Sequence, residues 1–114
     1  MRRGALYRVH RTSGDSQPAR VFVVVSRQPL IDSSYSMVIC APVFMRGQGM
    51  PTQVVVGAVE GLPRQSIIQC DGLMSLEKSR LTEQVGQLSS DKLIELDAAL
   101  LAALGIDPRQ RLRG

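Results

Sequence analysis

Two short apolar runs, Val21–Val25 and Met37–Ala41, constrain this chain more than any other feature. Both are rich in β-branched residues, bounded by turn formers and too short for a core helix, so they read as buried strands. The segment between them, with Pro29, Asp32, Ser33 and Ser34, reads as a polar connector. Arg20 stands at the entrance of the first run and Arg46 beyond the exit of the second. The expectation is a compact β core with a basic mouth.

Taken in order, residues 5 to 11 form an opening strand and 12 to 18 a loop. Strands follow at Val21–Ser26, Met37–Ala41, Gln53–Val56, Ser66–Asp71 and Glu83–Leu88. A flexible loop spans Pro42–Thr52, and Met74–Leu81 reads as an irregular turn or short helix. The last element is a helix. Ser89 or Ser90 can cap it, Asp91 suits its positive N-terminal end, and Gly105 with Pro108 stops it. Leu93, Leu96, Leu100 and Leu104 recur at helical spacing, with Ile94 and Leu101 widening the apolar face. One helix on a strongly bent sheet of five or six strands is therefore expected, in a mainly β (α+β) fold. Residues 1–106 make one domain and 107–114 a basic, flexible tail.

At 114 residues the chain has room for a single core. No apolar stretch approaches the roughly 20 residues of a membrane span, and the basic N-terminus lacks the apolar segment of a signal peptide. A cytoplasmic protein without membrane contact is expected. Cys40 and Cys70 sit in apolar runs and read as reduced core thiols, while His10 has no neighbour at metal-ligand spacing. Chemistry without metal or cofactor follows as the expectation. Residues 1 to 57 carry seven basic and two acidic side chains, whereas residues 58 to 106 carry four and seven. A basic half of this kind fits a phosphate-bearing or acidic partner, or a solvated surface.

Several fragments occur in a telling order: Arg3-Gly4-x-x-Tyr7, Arg20 with its valine run, Ala41-Pro42-Val43 and Pro51-Thr52-x-Val54. The block from Gly61 to Asp71, then Leu76-x-Lys78-x-Arg80-Leu81 and Val85-Gly86-Gln87-Leu88, is the most specific part. Taken together they resemble the MazF/PemK/Kid-type toxins, the ribonuclease halves of bacterial toxin–antitoxin pairs. The resemblance covers residues 3 to 106. It implies an SH3-like barrel with a C-terminal helix, a homodimer, a cognate antitoxin as partner, and cleavage of single-stranded RNA without a metal. In that reaction the ribose 2′-OH attacks the adjacent phosphate, which needs a base, an acid and positive charge on the phosphorane.

Carried onto this sequence, the resemblance places Arg20 as the catalytic arginine and Asp71 as the base. The family's Pro-x-Thr reads Pro42-Val43-Phe44 here, so the hydroxyl that contacts phosphate is replaced by a ring. Phe44 can stack on a base, or pack at the dimer interface or the loop base; Thr52 or Ser36 can supply a hydroxyl instead. Gln69 stands where such members carry an acid-like arginine. Arg11, Asp15, Gln17, Phe44, Arg46, Thr52 and Gln69 are the candidate RNA contacts, and His10 is a further acid–base candidate. Two alternatives stay open. One is a non-enzymatic gyrase poison of the CcdB type, disfavoured because the chain ends its helix on Leu104-Gly105-Ile106 and has no tryptophan. The other is an inactive member that only binds antitoxin or RNA.

Overall fold

The computed structural model describes residues 1–10 and 19–109. It contains seven strands in one curled antiparallel sheet. They are β1 (Ala5–Val9), β2 (Arg20–Val24), β3 (Met37–Phe44), β4 (Gln53–Val56), β5 (Ser66–Gln69), β6 (Met74–Glu77) and β7 (Glu83–Gln87). The order across the sheet is β4-β5-β3-β2-β1-β7, with β6 on the first half of β3. A five-residue helix α1 (Gln28–Asp32) and a fifteen-residue helix α2 (Ser90–Leu104) complete the fold.

The valine run feeds two cores at once, because successive strand residues point to opposite faces. Val23 and Val25 enter a core with Leu6, Ile68, Leu96 and Ala99, under α2. Phe22 and Val24 enter a second, with Tyr7, Val9, Ile31, Val38 and Leu76. A strand buried on both sides shows no polar alternation, which is why the run is continuous.

Three expectations are corrected. The polar connector folds into α1. Pro29 lies in its first turn, where its fixed φ suits a helix and its missing N–H is not needed. Lys78 Nζ then donates to the carbonyls of Leu30 and Ser33 at 3.0 and 2.7 Å, placing a cation at the helix C-terminus. Met74–Glu77 is a strand rather than a turn or helix, which raises the sheet to seven strands. Leu76 turns inward while Ser75 and Glu77 face solvent. Finally, the buried stripe of α2 is Leu93, Leu96, Ala99, Leu100 and Ala103, whereas Ile94 and Leu104 are 68% and 60% exposed. Small Ala99 and Ala103 let the helix approach the sheet. The caps are as expected: Ser89 Oγ accepts from the Lys92 amide, and Gly105 adopts the left-handed conformation at φ 68°.

Strand boundaries also shift. The opening strand ends at Val9, the second runs from Arg20 to Val24, the last ends at Gln87, and β3 reaches Phe44. Pro42 is tolerated within β3 because its partner on that side changes there, from β5 at Val43–Phe44 to β6 at Met37–Cys40. The chain between β5 and β6, Cys70–Gly72, is a 3-10 turn, so the fifth strand stops at Gln69 rather than Asp71. A second 3-10 turn, Ala58–Glu60, brings the chain after β4 onto β7 at the opposite sheet edge. Gly61 and Gly86 permit that approach: a β-carbon on Gly86 would collide with the Glu60 carbonyl oxygen, and one on Gly61 with that of Val85. Among the described residues no helix is long and apolar enough to cross a membrane.

Candidate active site

Arg20 opens β2 opposite Val9 of β1, and the register of β2 on β3 continues toward Phe44. The guanidinium carbon lies over the Phe44 ring, 4.3 Å from its centroid, a cation–π contact. One face of the ring is thus covered by the arginine, while Phe44 remains 36% exposed. Beneath this stack opens a cavity of about 320 Å³ lined by Val9, Arg20, Phe22, Pro42, Phe44, Met74, Leu76 and Arg80.

Arg80 is the member of this lining that sequence reasoning missed as a site residue. Half-buried, it donates from Nη2 to the His10 carbonyl at 3.2 Å. The signal was present in the Leu76-x-Lys78-x-Arg80 stretch, but reading it as a turn hid the alternation that sends Leu76 and Met74 toward one face.

Thr52 and Asp71 form the second constellation. Thr52 Oγ1 donates to Asp71 Oδ2 at 2.7 Å, and the Asp71 amide donates to Gln69 Oε1 at 3.2 Å. The Cys70 amide donates to the Thr52 carbonyl at 3.0 Å, tying the start of β4 to the turn that carries the carboxylate. Pro42 joins the two groups. It lines the Arg20 cavity, and its Cγ would lie 3.2 Å from a β-carbon at Gly72, the neighbour of Asp71.

The remaining candidates separate. Arg46 lines a different hollow, of about 560 Å³, with Gly47, Val55, Gln65 and Ile67. Ser36 precedes the far end of β3 from Phe44 and cannot stand in for the lost hydroxyl. His10 Nε2 lies 3.1 Å from Glu83 Oε2, with Arg8 Nη1 3.1 Å from the other oxygen. These bonds, that of His10 first, hold the Glu83 carboxyl below its ordinary value. Arg11, Asp15 and Gln17 lie outside the described residues. Both cysteines are free and buried. Burial pushes the Cys40 thiol up to about 12, and burial with the Asp71 charge pushes Cys70 up to about 11, so neither is a nucleophile near neutral pH.

Residues 2–104 match the PemK-like, MazF-like toxins of type II toxin–antitoxin systems. The chain is 30% identical over 87 residues to Endoribonuclease MazF3 of Mycobacterium tuberculosis, covering 76% of this chain and 80% of that one. Among solved structures, Mycobacterium tuberculosis toxin MazF-mt6 superposes with a TM-score of 0.78 at 24% identity, over 90% of this chain and 98% of that one. A MazE–MazF structure from Deinococcus radiodurans gives 0.72 at 26% identity, over 91% and 95%. The curled sheet, its C-terminal helix and the ordered sequence blocks thus have one common explanation: this chain belongs to the PemK/MazF family of type II toxins.

Proposed function

We propose that this endoribonuclease toxin cleaves single-stranded RNA, such as mRNA, selectively by sequence and without a metal, at the Pro42 corner where the Arg20 cavity meets the Thr52–Asp71 pair. The observation that carries the reading is that Pro42 lines the Arg20 cavity and also packs beside the turn bearing Asp71. The Arg20 cation and the carboxylate oriented by Thr52 therefore share Pro42 as a neighbour.

Asp71 takes the proton of the ribose 2′-OH. Thr52, by donating to Oδ2, orients the carboxylate and leaves Oδ1 to take the proton. The 2′-oxygen attacks the adjacent phosphorus, and the charge that builds on its equatorial oxygens is met by the Arg20 guanidinium. Stacking on Phe44 leaves the guanidinium edge, with its N–H donors, free for phosphate. The bond to the 5′-oxygen of the next nucleotide breaks, yielding a cyclic phosphate and a 5′-OH. That leaving oxygen takes its proton from solvent, since the side chain at Gln69 has no titratable proton and is engaged with the Asp71 amide. Thr52 is thus a positioning residue, and the ring at Phe44 orients the arginine where the family has a threonine on the phosphate.

The protein works as a homodimer, the assembly the family resemblance implies. Its partner is a cognate antitoxin. One structural neighbour, an endoribonuclease from a mycobacterial species, is in complex with its cognate antitoxin, and a Deinococcus neighbour is a MazE–MazF structure. An acidic segment, disordered until bound, fits the basic N-terminal half.

The test is cleavage of a long mixed-sequence RNA in EDTA by wild type, Arg20→Ala and Asp71→Asn. Discrete fragments with 5′-OH ends, lost in both variants, support the assignment. Fragments that persist in Arg20→Ala move the site elsewhere, and intact RNA with wild type leaves only a binding role.

A further inference from the structure

The cavity beneath Arg20 has a second cationic wall, and the mechanism above makes no use of it. Arg20 and Arg80 both line it, while Phe22, Pro42, Met74 and Leu76 supply apolar sides. No carboxylate lines it among the described residues. At about 320 Å³ it falls at the lower end of ligand clefts, roughly 300–1,000 Å³, the scale of one nucleotide unit rather than an oligonucleotide. Its floor is buried Phe22 and Leu76, and its exposed rim is Met74, a flexible thioether that moulds to a flat ring. Arg80 is braced: Nη2 is held by the His10 carbonyl, which fixes the head group while other guanidinium donors remain.

Two guanidiniums lining one apolar trough, Arg20 stacked on Phe44 and Arg80 bonded to the His10 carbonyl, match a specific chemistry, a nucleobase in the trough with phosphates at the guanidiniums. Resting on the ribonuclease reading above, we propose that this cavity is a nucleotide subsite beside the scissile bond, in which Met74 contacts the base and Arg80 holds the second phosphate. Arg80 supplies binding and register and takes no part in the proton transfers. Met74 supplies apolar contact without charge.

The experiment measures binding of a fluorescent, fully 2′-O-methylated single strand, which lacks the nucleophile, across a salt series. Cleavage of ordinary RNA is followed in parallel. For Arg80→Gln the affinity at low salt falls roughly tenfold or more, and the slope of log K against log salt shrinks by about 0.7, one phosphate contact on a single strand. Arg80→Lys recovers the slope and part of the affinity. Met74→Ala, at an exposed position, loses about three- to tenfold in affinity with an unchanged slope. Arg27→Gln, an exposed arginine at the start of α1, is the control. If Arg80→Gln keeps the wild-type slope while cleavage still depends on Arg20, the subsite is refuted and Arg80 only braces the His10 carbonyl. A wild type that leaves RNA whole removes the ribonuclease reading itself, and this inference with it.

Discussion

The two faces of the sheet are built from the same strands and end differently. On one face the core of Leu6, Val23, Ile68 and Cys70 is roofed by α2, whose Leu96 and Ala99 are almost fully buried. On the other, the cover among the described residues comes from α1 through Ile31 and the chain near Leu81, and the core of Tyr7, Phe22 and Val24 runs out into the Arg20 cavity. A fifteen-residue amphipathic helix closes one face; among the described residues only short pieces pack on the other, and the candidate site lies on that side. With the proposed site on that face, stability and activity should answer to different residues, a separation that mutation can break.

The largest effect belongs to the roofed face. Leu96→Ala removes a fully buried side chain and costs about 2–5 kcal/mol in denaturant unfolding. The protein that remains folded should cleave RNA at the wild-type rate; a large loss of rate per folded molecule would mean the two faces are coupled. Next, Gly86→Ala forces a β-carbon onto the Glu60 carbonyl and parts the turn from β7, costing about 1–3 kcal/mol by the same assay. On the open face, Phe44→Leu keeps an apolar side chain and removes the ring beneath Arg20. The expected loss in kcat is roughly three- to thirtyfold, corresponding to a cation–π contact of about 0.5–2 kcal/mol. Phe44→Tyr restores most of it, and unfolding midpoints change little for either variant.

How the sequence spoke of these faces differs in the same way. The strands were legible because a sheet buried on both sides demands continuous β-branched runs, and α2 because its caps at Ser89 and Gly105 are explicit. The small elements were not. Pro29 and Ser33 favour a turn as much as a helix, and contacts distant in sequence resolve α1: Lys78 on its C-terminal carbonyls, Gln28 on the N-terminal backbone and Ile31 in the core. Met74–Glu77 becomes a strand because β3 offers it an edge, which no local propensity reports. Of the proposed site, the ordered motifs named Arg20, Asp71 and Thr52 as candidates, but not how they sit relative to their neighbours. That Thr52 donates to Asp71, that Phe44 underlies Arg20, and that Arg80 enters the cavity while Arg46 does not, all depend on register between strands far apart in sequence.

Smaller effects concern titration. The Cys40 thiol stands at about 12 in the fold against 9.0 ordinarily, so the unfolded chain ionises first as pH rises. The stability it contributes is complete below about 9 and is lost between there and about 12. Cys40→Ala should flatten that alkaline fall in the denaturant midpoint, and an equally steep fall in the variant assigns it to other groups. Least of all, Glu83 contributes stability present above its ordinary value of 4.5 and lost as pH falls through its lower folded value. Glu83→Gln should soften acid unfolding slightly, since the group is exposed and screened.

The most direct measurement of the central claim uses the nucleophile rather than the protein. Once a cleaved sequence is mapped, a short RNA carrying it is made with a single 2′-deoxy sugar on the 5′ side of the scissile phosphate. It is then incubated with wild-type protein in EDTA beside the all-ribose strand. Attack by the 2′-OH at the Arg20–Asp71 corner predicts that the all-ribose strand yields a 5′-OH fragment and the substituted strand stays whole. Cleavage of the substituted strand at the same bond would contradict it, because the hydroxyl assigned as nucleophile would then be dispensable.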